Sequence, residues 1–199
     1  MTQLPSSEQT SRPWRIHELV KDFQLLDVWA LPTPGGPEDF PRLVEIVASS
    51  DTGSDSRAAQ ALWAIRWKLG EIFGWDEVEE SDLPDWQMLR DRLPQDLRDG
   101  PRGPEFKELP FESVYLLDDE WAAEIANKTV HGVLHLSWVP DGHGASRGQM
   151  AVYVKPNGLL GKAYLAAIQP FRHLVVYPPM MRQLERMWRQ EGEVAGSPT

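Results

Sequence analysis

Five histidines and no cysteine set the range of chemistry open to this chain. His131 and His135 stand four residues apart, the spacing at which the two imidazoles of an H-E-x-x-H helix hold zinc. Two features defeat that reading. Gly132 stands where the general-base glutamate would be, and the surrounding VHGVLHLSW alternates as a strand does. Residues four apart in a strand are separated by about 13 Å at ~3.3 Å per residue, too far for one ion. Both histidines are therefore expected on a solvated sheet face, and neither a metal nor a cofactor is expected. His173, beside Arg172 in a helical stretch, is the better candidate for a general base, because an imidazole titrates near neutrality. His143 falls in the turn Asp141-Gly142-His143, which turn chemistry already explains. Ser137 lies mid-strand, and no G-x-S-x-G elbow, Walker A loop or EF-hand spacing is present. Without cysteine, thiolate catalysis, disulfides and iron–sulfur clusters are excluded.

The elements that must position these groups follow from periodicity. Residues 14–20 carry Ile16, Leu19 and Val20 at helical spacing, and residues 23–31 form a strand that the run from Pro32 to Pro37 should end. A helix is expected through Ala48, and a second over residues 57–73, with Trp63 and Trp67 on its flank and Arg66 at the edge of its apolar face. Residues 111–155 alternate with period two: Leu134, Leu136 and Trp138 point one way, His131, His135 and Ser137 the other. Short turns make this an antiparallel meander with one buried face. From Leu160 the spacing is helical again, interrupted by Pro170 and by Pro178-Pro179, which must kink or divide the helix.

The chain has 199 residues and a net charge of −10. Residues 76–120 hold 15 acidic and 5 basic side chains, a local balance of −10, so the rest of the chain sums to zero. Such a surface repels phosphate backbones, and nucleic-acid binding is not expected. No apolar stretch reaches the ~18 residues of a membrane span, and residues 1–13 lack the order of a signal peptide, so a cytoplasmic protein is expected. One domain over residues 13–190 is expected between disordered tails at 1–12 and 191–199, with residues 74–110 as a long acidic covering loop.

The order strand, two helices, antiparallel strands, long C-terminal helix resembles the helix-grip fold of the Bet v 1-like and START-like superfamily. LWAIRWKLG at 62–70, NKTVHGVLHLSW at 127–138 and YLAAIQPFRHLVVYP at 164–178 are similar to an uncharacterised bacterial domain family within it. Members of that family occur alone or after an epimerase-like dinucleotide-binding domain, for which this chain carries no G-x-G-x-x-G fingerprint. The resemblance implies an α+β fold in which a curved antiparallel sheet wraps a kinked C-terminal helix, with a cavity between them.

Three functions fit this arrangement. The first is binding of a small apolar ligand in that cavity, lined by Trp138, Met150, Tyr164 and Phe171, with Arg66 and His173 as polar contacts. The resemblance also implies an enzyme of the cyclase or dehydratase sort, using histidine, tyrosine or acidic groups of the cavity. The third is an interaction module for a protein partner or second copy, using the acidic segment and the Trp63/Trp67 flank. A cavity of aliphatic and aromatic walls favours the first, and convergent titratable groups favour the second.

Overall fold

Alternating side chains of an extended chain point to opposite faces, so the period-two stretch from Glu112 onward can bury one row and present another. The computed structural model describes residues 2–49, 87–107, 109–127, 129–142 and 144–195, and within its C-terminal helices it leaves some side chains, Tyr164 and Phe171 among them, undescribed. Strands β3 (Glu112–Leu116), β4 (Glu120–Ala126), β5 (Val130–Pro140) and β6 (Ser146–Pro156) form the expected antiparallel meander. The strand β2 (Gln24–Gly35) adds beyond β6, and β1 (Thr2–Gln3) pairs with Ala30 and Trp29 of β2. The curved sheet therefore runs β1-β2-β6-β5-β4-β3, antiparallel throughout. The prolines expected to end β2 do not: its register with β6 shifts between Ala30 and Pro34, and the strand bends through them.

One face carries Trp29, Leu31, Trp121, Leu136, Trp138 and Met150. Two helices cover it. Phe40, Leu43, Val44 and Ile46 come from α3 (Phe40–Ser49), and Tyr177, Met181, Leu184 and Trp188, at helical spacing, come from the C-terminal helix. The C-terminal helix thus lies on the Leu134/Leu136 face as expected, with Leu136 fully buried and Leu134 and Val152 half-buried against the same core. That helix has three parts: an α-helical run Gly158–Phe171, a π-helical turn Arg172–Val176, and a further α-helix Tyr177–Ala195. Pro178 and Pro179 follow the π-helical turn directly, and their missing N–H groups interrupt the regular α-helical ladder there, in line with the division expected at these prolines. The tail expected from residue 191 is helical to Ala195.

The other face corrects two expectations. It is covered as well, by Trp14, Ile16, Leu19 and Val20 from the N-terminal segment and by Leu89, Leu93 and Leu97. The N-terminal segment includes the short helices α1 (Ser7–Thr10) and α2 (Ile16–Leu19); the later cover is a 3-10 turn at Leu89–Arg92 followed by α4 (Gln95–Arg98). Residues 2–12 are therefore no tail. Their hold on the sheet is a polar one, which composition does not reveal. The C-terminal helical parts are termed α5 (Gly158–Phe171) and α6 (Tyr177–Ala195) below.

The start of α5 is held close to the sheet. The Asn157 N–H donates to the Thr129 carbonyl at 2.7 Å, and at Gly161 a Cβ would run into that same carbonyl and the backbone of Pro156. Gly161→Ala should push this turn outward and cost about 1–3 kcal/mol of stability. Urea unfolding reads the effect, and an unchanged midpoint would show that α5 yields without loss.

Candidate functional site

Sequence periodicity puts Leu25 and Asp27 on the same side of β2, but a bulge intervenes. The register with β6 passes from Leu25 opposite Tyr153 to Asp27 opposite Val152, leaving Leu26 as the extra residue. Leu25 then belongs to the core under the N-terminal segment, while Asp27 turns to the helix side beside Trp29. Bulges commonly re-aim a side chain in this way next to functional sites.

Three groups from the far end of α5 meet that carboxylate. Arg172 pairs with Asp27 Oδ2, the Tyr177 hydroxyl donates to the same oxygen at 2.9 Å, and His173 Nε2 lies 3.0 Å from Oδ1. Gln3 Nε2 of β1 adds a long hydrogen bond of 3.4 Å to Oδ1. The π-helical turn permits this convergence, since its wider winding lets consecutive Arg172 and His173 reach one acceptor together with Tyr177. Such turns are frequent at functional sites. The Trp29 indole packs against both His173, at 5.6 Å between centroids, and Tyr177, at 4.9 Å. Burial pushes the Tyr177 hydroxyl up to about 12; Arg172 opposes this and Asp27 adds to it, so the phenol keeps its proton and donates.

Asp27 and Arg172 also border a hollow of about 220 Å³ between β2, the end of β6 and α5. Its apolar walls are Leu26, Pro156, Leu165 and Ala166, and its polar rim is Gln24, Lys162 and Gln169. The Asp27 side chain is 3% exposed, Arg172 13% and His173 27%, so the cluster grades from sealed carboxylate to accessible imidazole. Such a set can grip a small molecule with one polar end.

The expected site residues distribute unevenly. His173 is in the cluster. Trp138 is instead packed in the core, its indole N–H donating to the Gly36 carbonyl at 2.9 Å and its ring against Phe40 and Trp188. Met150 is buried in the same core, and neither residue borders this hollow. The expectations on Tyr164 and Phe171 fall on side chains outside those described, and Arg66, Trp63, Trp67, the helix over residues 57–73 and His143 lie outside the described residues. Asp27, Lys162 and Tyr177 carry no motif. The available signal for Asp27 was one charge inside the strand sequence QLLDVWAL.

His131 and His135 are the clearest correction: both are fully buried. Each is matched to a glutamate one strand away, His131 Nε2 to Glu124 at 2.7 Å and His135 Nε2 to Glu120 at 2.9 Å. Glu124 in turn accepts from the Leu89 N–H at 2.8 Å, and Glu120 from the Arg15 N–H at 2.9 Å, so each carboxylate ties down one covering segment. Gln9 completes the layer. Its amide donates to His135 Nδ1 at 3.1 Å and to the Tyr153 hydroxyl at 3.0 Å, and accepts from Gln149 at 3.0 Å. Burial alone would raise Glu120, but the hydrogen bond and charge of His135, with the Arg15 N–H, hold it below its usual range. This layer is sealed and tied to several elements, which suits a fastening more than a reaction centre. Among the described residues no group of three or more histidine or acidic side chains is placed to hold a metal ion, and no helix is long and apolar enough to cross a membrane.

One family profile, described as a protein of unknown function, matches residues 19–179, a span that includes Asp27, Lys162, Arg172, His173 and Tyr177. No curated protein and no solved structure matches the chain significantly.

Proposed function

Since the chain belongs to DUF2867, a family of proteins of unknown function, its activity must be read from its own site, and we propose that it binds a small, largely apolar molecule in the hollow between β2 and α5. The reading draws on the helix-grip resemblance, in which ligands lie between a curved sheet and the C-terminal helix. One observation carries it: four apolar walls face a hollow whose inner end is a buried, fully engaged carboxylate. At about 220 Å³ the hollow is below the ~300–1,000 Å³ of drug-sized sites, so the ligand is small. At ~30 Å³ per water molecule it displaces roughly seven waters' worth of liquid volume.

Hexanamide, a neutral probe of suitable size, should raise the melting temperature of the wild type by binding the folded state. Ala166→Trp, on an exposed position of the hollow's wall, should fill the space and abolish the shift without loss of fold. Equal shifts in both proteins, or no shift in the wild type, would overturn the proposal.

A second reading, general acid–base catalysis on the bound molecule, is favoured by the 3.0 Å Asp27–His173 pair beside the protonated Tyr177. The carboxylate orients the imidazole, and the ring is partly exposed. Under this reading the ligand should be consumed by the wild type and bound unchanged by His173→Gln, as followed by mass spectrometry.

A further inference from the structure

We infer that the ligand of this hollow carries a carboxylate, which Lys162 holds at the rim while a short apolar body lies along Leu26 and Leu165. The inference rests on the reading of the hollow as a binding site. Its charged border residues are Lys162, Arg172 and Asp27, which makes it locally positive by one charge in a chain of −10. The three charges are not equivalent. Asp27 is engaged at both oxygens, by Arg172 and Tyr177 on one and His173 on the other. It is thereby compensated from within the protein and has no oxygen left for a ligand cation. Lys162, by contrast, makes no hydrogen bond or ion pair among the described residues.

The rim amides agree with this polarity. The side-chain amides of Gln24 and Gln169 have no hydrogen-bond partner among the described residues, and each can turn an N–H toward an acceptor. An amine would meet Lys162 and Arg172 with no carboxylate free to receive it. A neutral apolar molecule would leave the lysine without a partner but cost nothing more. A phosphate dianion asks for more positive charge than one uncommitted lysine supplies, and the four apolar walls give it nothing. The chemistry left is a small monocarboxylate whose chain or ring covers the apolar wall.

Calorimetric titration of hexanoate, hexanamide and hexylamine into the wild type and Lys162→Gln tests this. Hexanoate should bind the wild type about five- to tenfold tighter than hexanamide, the range of a charge-assisted hydrogen bond at a partly open site. Hexylamine should bind weakest, and Lys162→Gln should bring hexanoate down to the level of the amide. Lys162 is on an exposed position of α5, so the substitution leaves the fold intact. Equal or tighter binding of hexanamide to the wild type would overturn the carboxylate while leaving the hollow as a binding site. A hexanoate preference that survives in Lys162→Gln would overturn the role of this lysine. Failure of all three probes to bind the wild type would remove the hollow itself as a site, and the inference with it.

Discussion

Asp27→Ala should cost the fold about 3–5 kcal/mol, the range seen when one partner of a buried ion pair is removed. The carboxylate is the meeting point of three side chains from the C-terminal helices. Without it the Arg172 guanidinium keeps its charge in a site only 13% exposed, and the Tyr177 hydroxyl loses its acceptor. Asp27→Asn should lose less, because an amide oxygen still accepts from Tyr177 and only the charge is gone. Urea unfolding of the two variants reads both effects. The account fails if alanine costs less than about 1 kcal/mol, the level of an exposed surface pair. A pairing of Asp27→Leu with Arg172→Met offers a check, since removing both charges should destabilise less than removing the acid alone.

Gln9→Ala should cost about 3 kcal/mol or more, although Gln9 lies where composition reads an unpacked tail. Its amide serves His135 Nδ1, the Tyr153 hydroxyl and the Gln149 amide, and no water reaches them to take its place, since Gln9, His135 and Gln149 are all fully buried. Each buried polar group left without a partner costs about 1–3 kcal/mol. Hydrogen exchange provides a second readout: the amide of Arg15, which donates to Glu120 in the same layer, should lose protection along with the global stability. A variant within about 0.5 kcal/mol of the wild type would mean that the Gln9 amide does not fasten the N-terminal segment to the sheet.

Gln9 also shows where sequence reading stops. Alternation located the four strands of the meander, because the period is local and each strand carries it whole. It also separated Leu134, Leu136 and Trp138 from His131, His135 and Ser137 correctly. What alternation cannot say is whether a polar row faces water. Here the row faces other polar side chains, and its partners lie up to 126 residues away, as Gln9 does from His135. Asp27 escaped for a different reason. Its face is shared with Trp29 and not with Leu25, because a bulge between them adds one residue and leaves no mark in the sequence. His173 was legible as a histidine on a helix, but its partner and the hollow beside it depend on that bulge and on a π-helical turn.

The order of strands in the sheet also fixes an order in time. Chain order and sheet order part company at β2, which is made early but pairs with β6, as in the register of Ala30 with Gln149. Synthesis at roughly 5–20 residues per second takes on the order of 10 s to cover the ~120 residues between them. Through that interval the emerging β2, with its run of large apolar residues, has only the two-residue β1 beside it, and its long edge toward β6 stays open. The meander of β3 to β6 closes by short hairpins, so its loop-closure entropy is small and it can assemble first. The N-terminal segment arrives last, because Gln9 needs His135, Tyr153 and Gln149 all in place before it can make any of its bonds. Residues made before β2 are thus among the last to be fastened, and the nascent chain must keep the long edge of an apolar strand open until β6 is made.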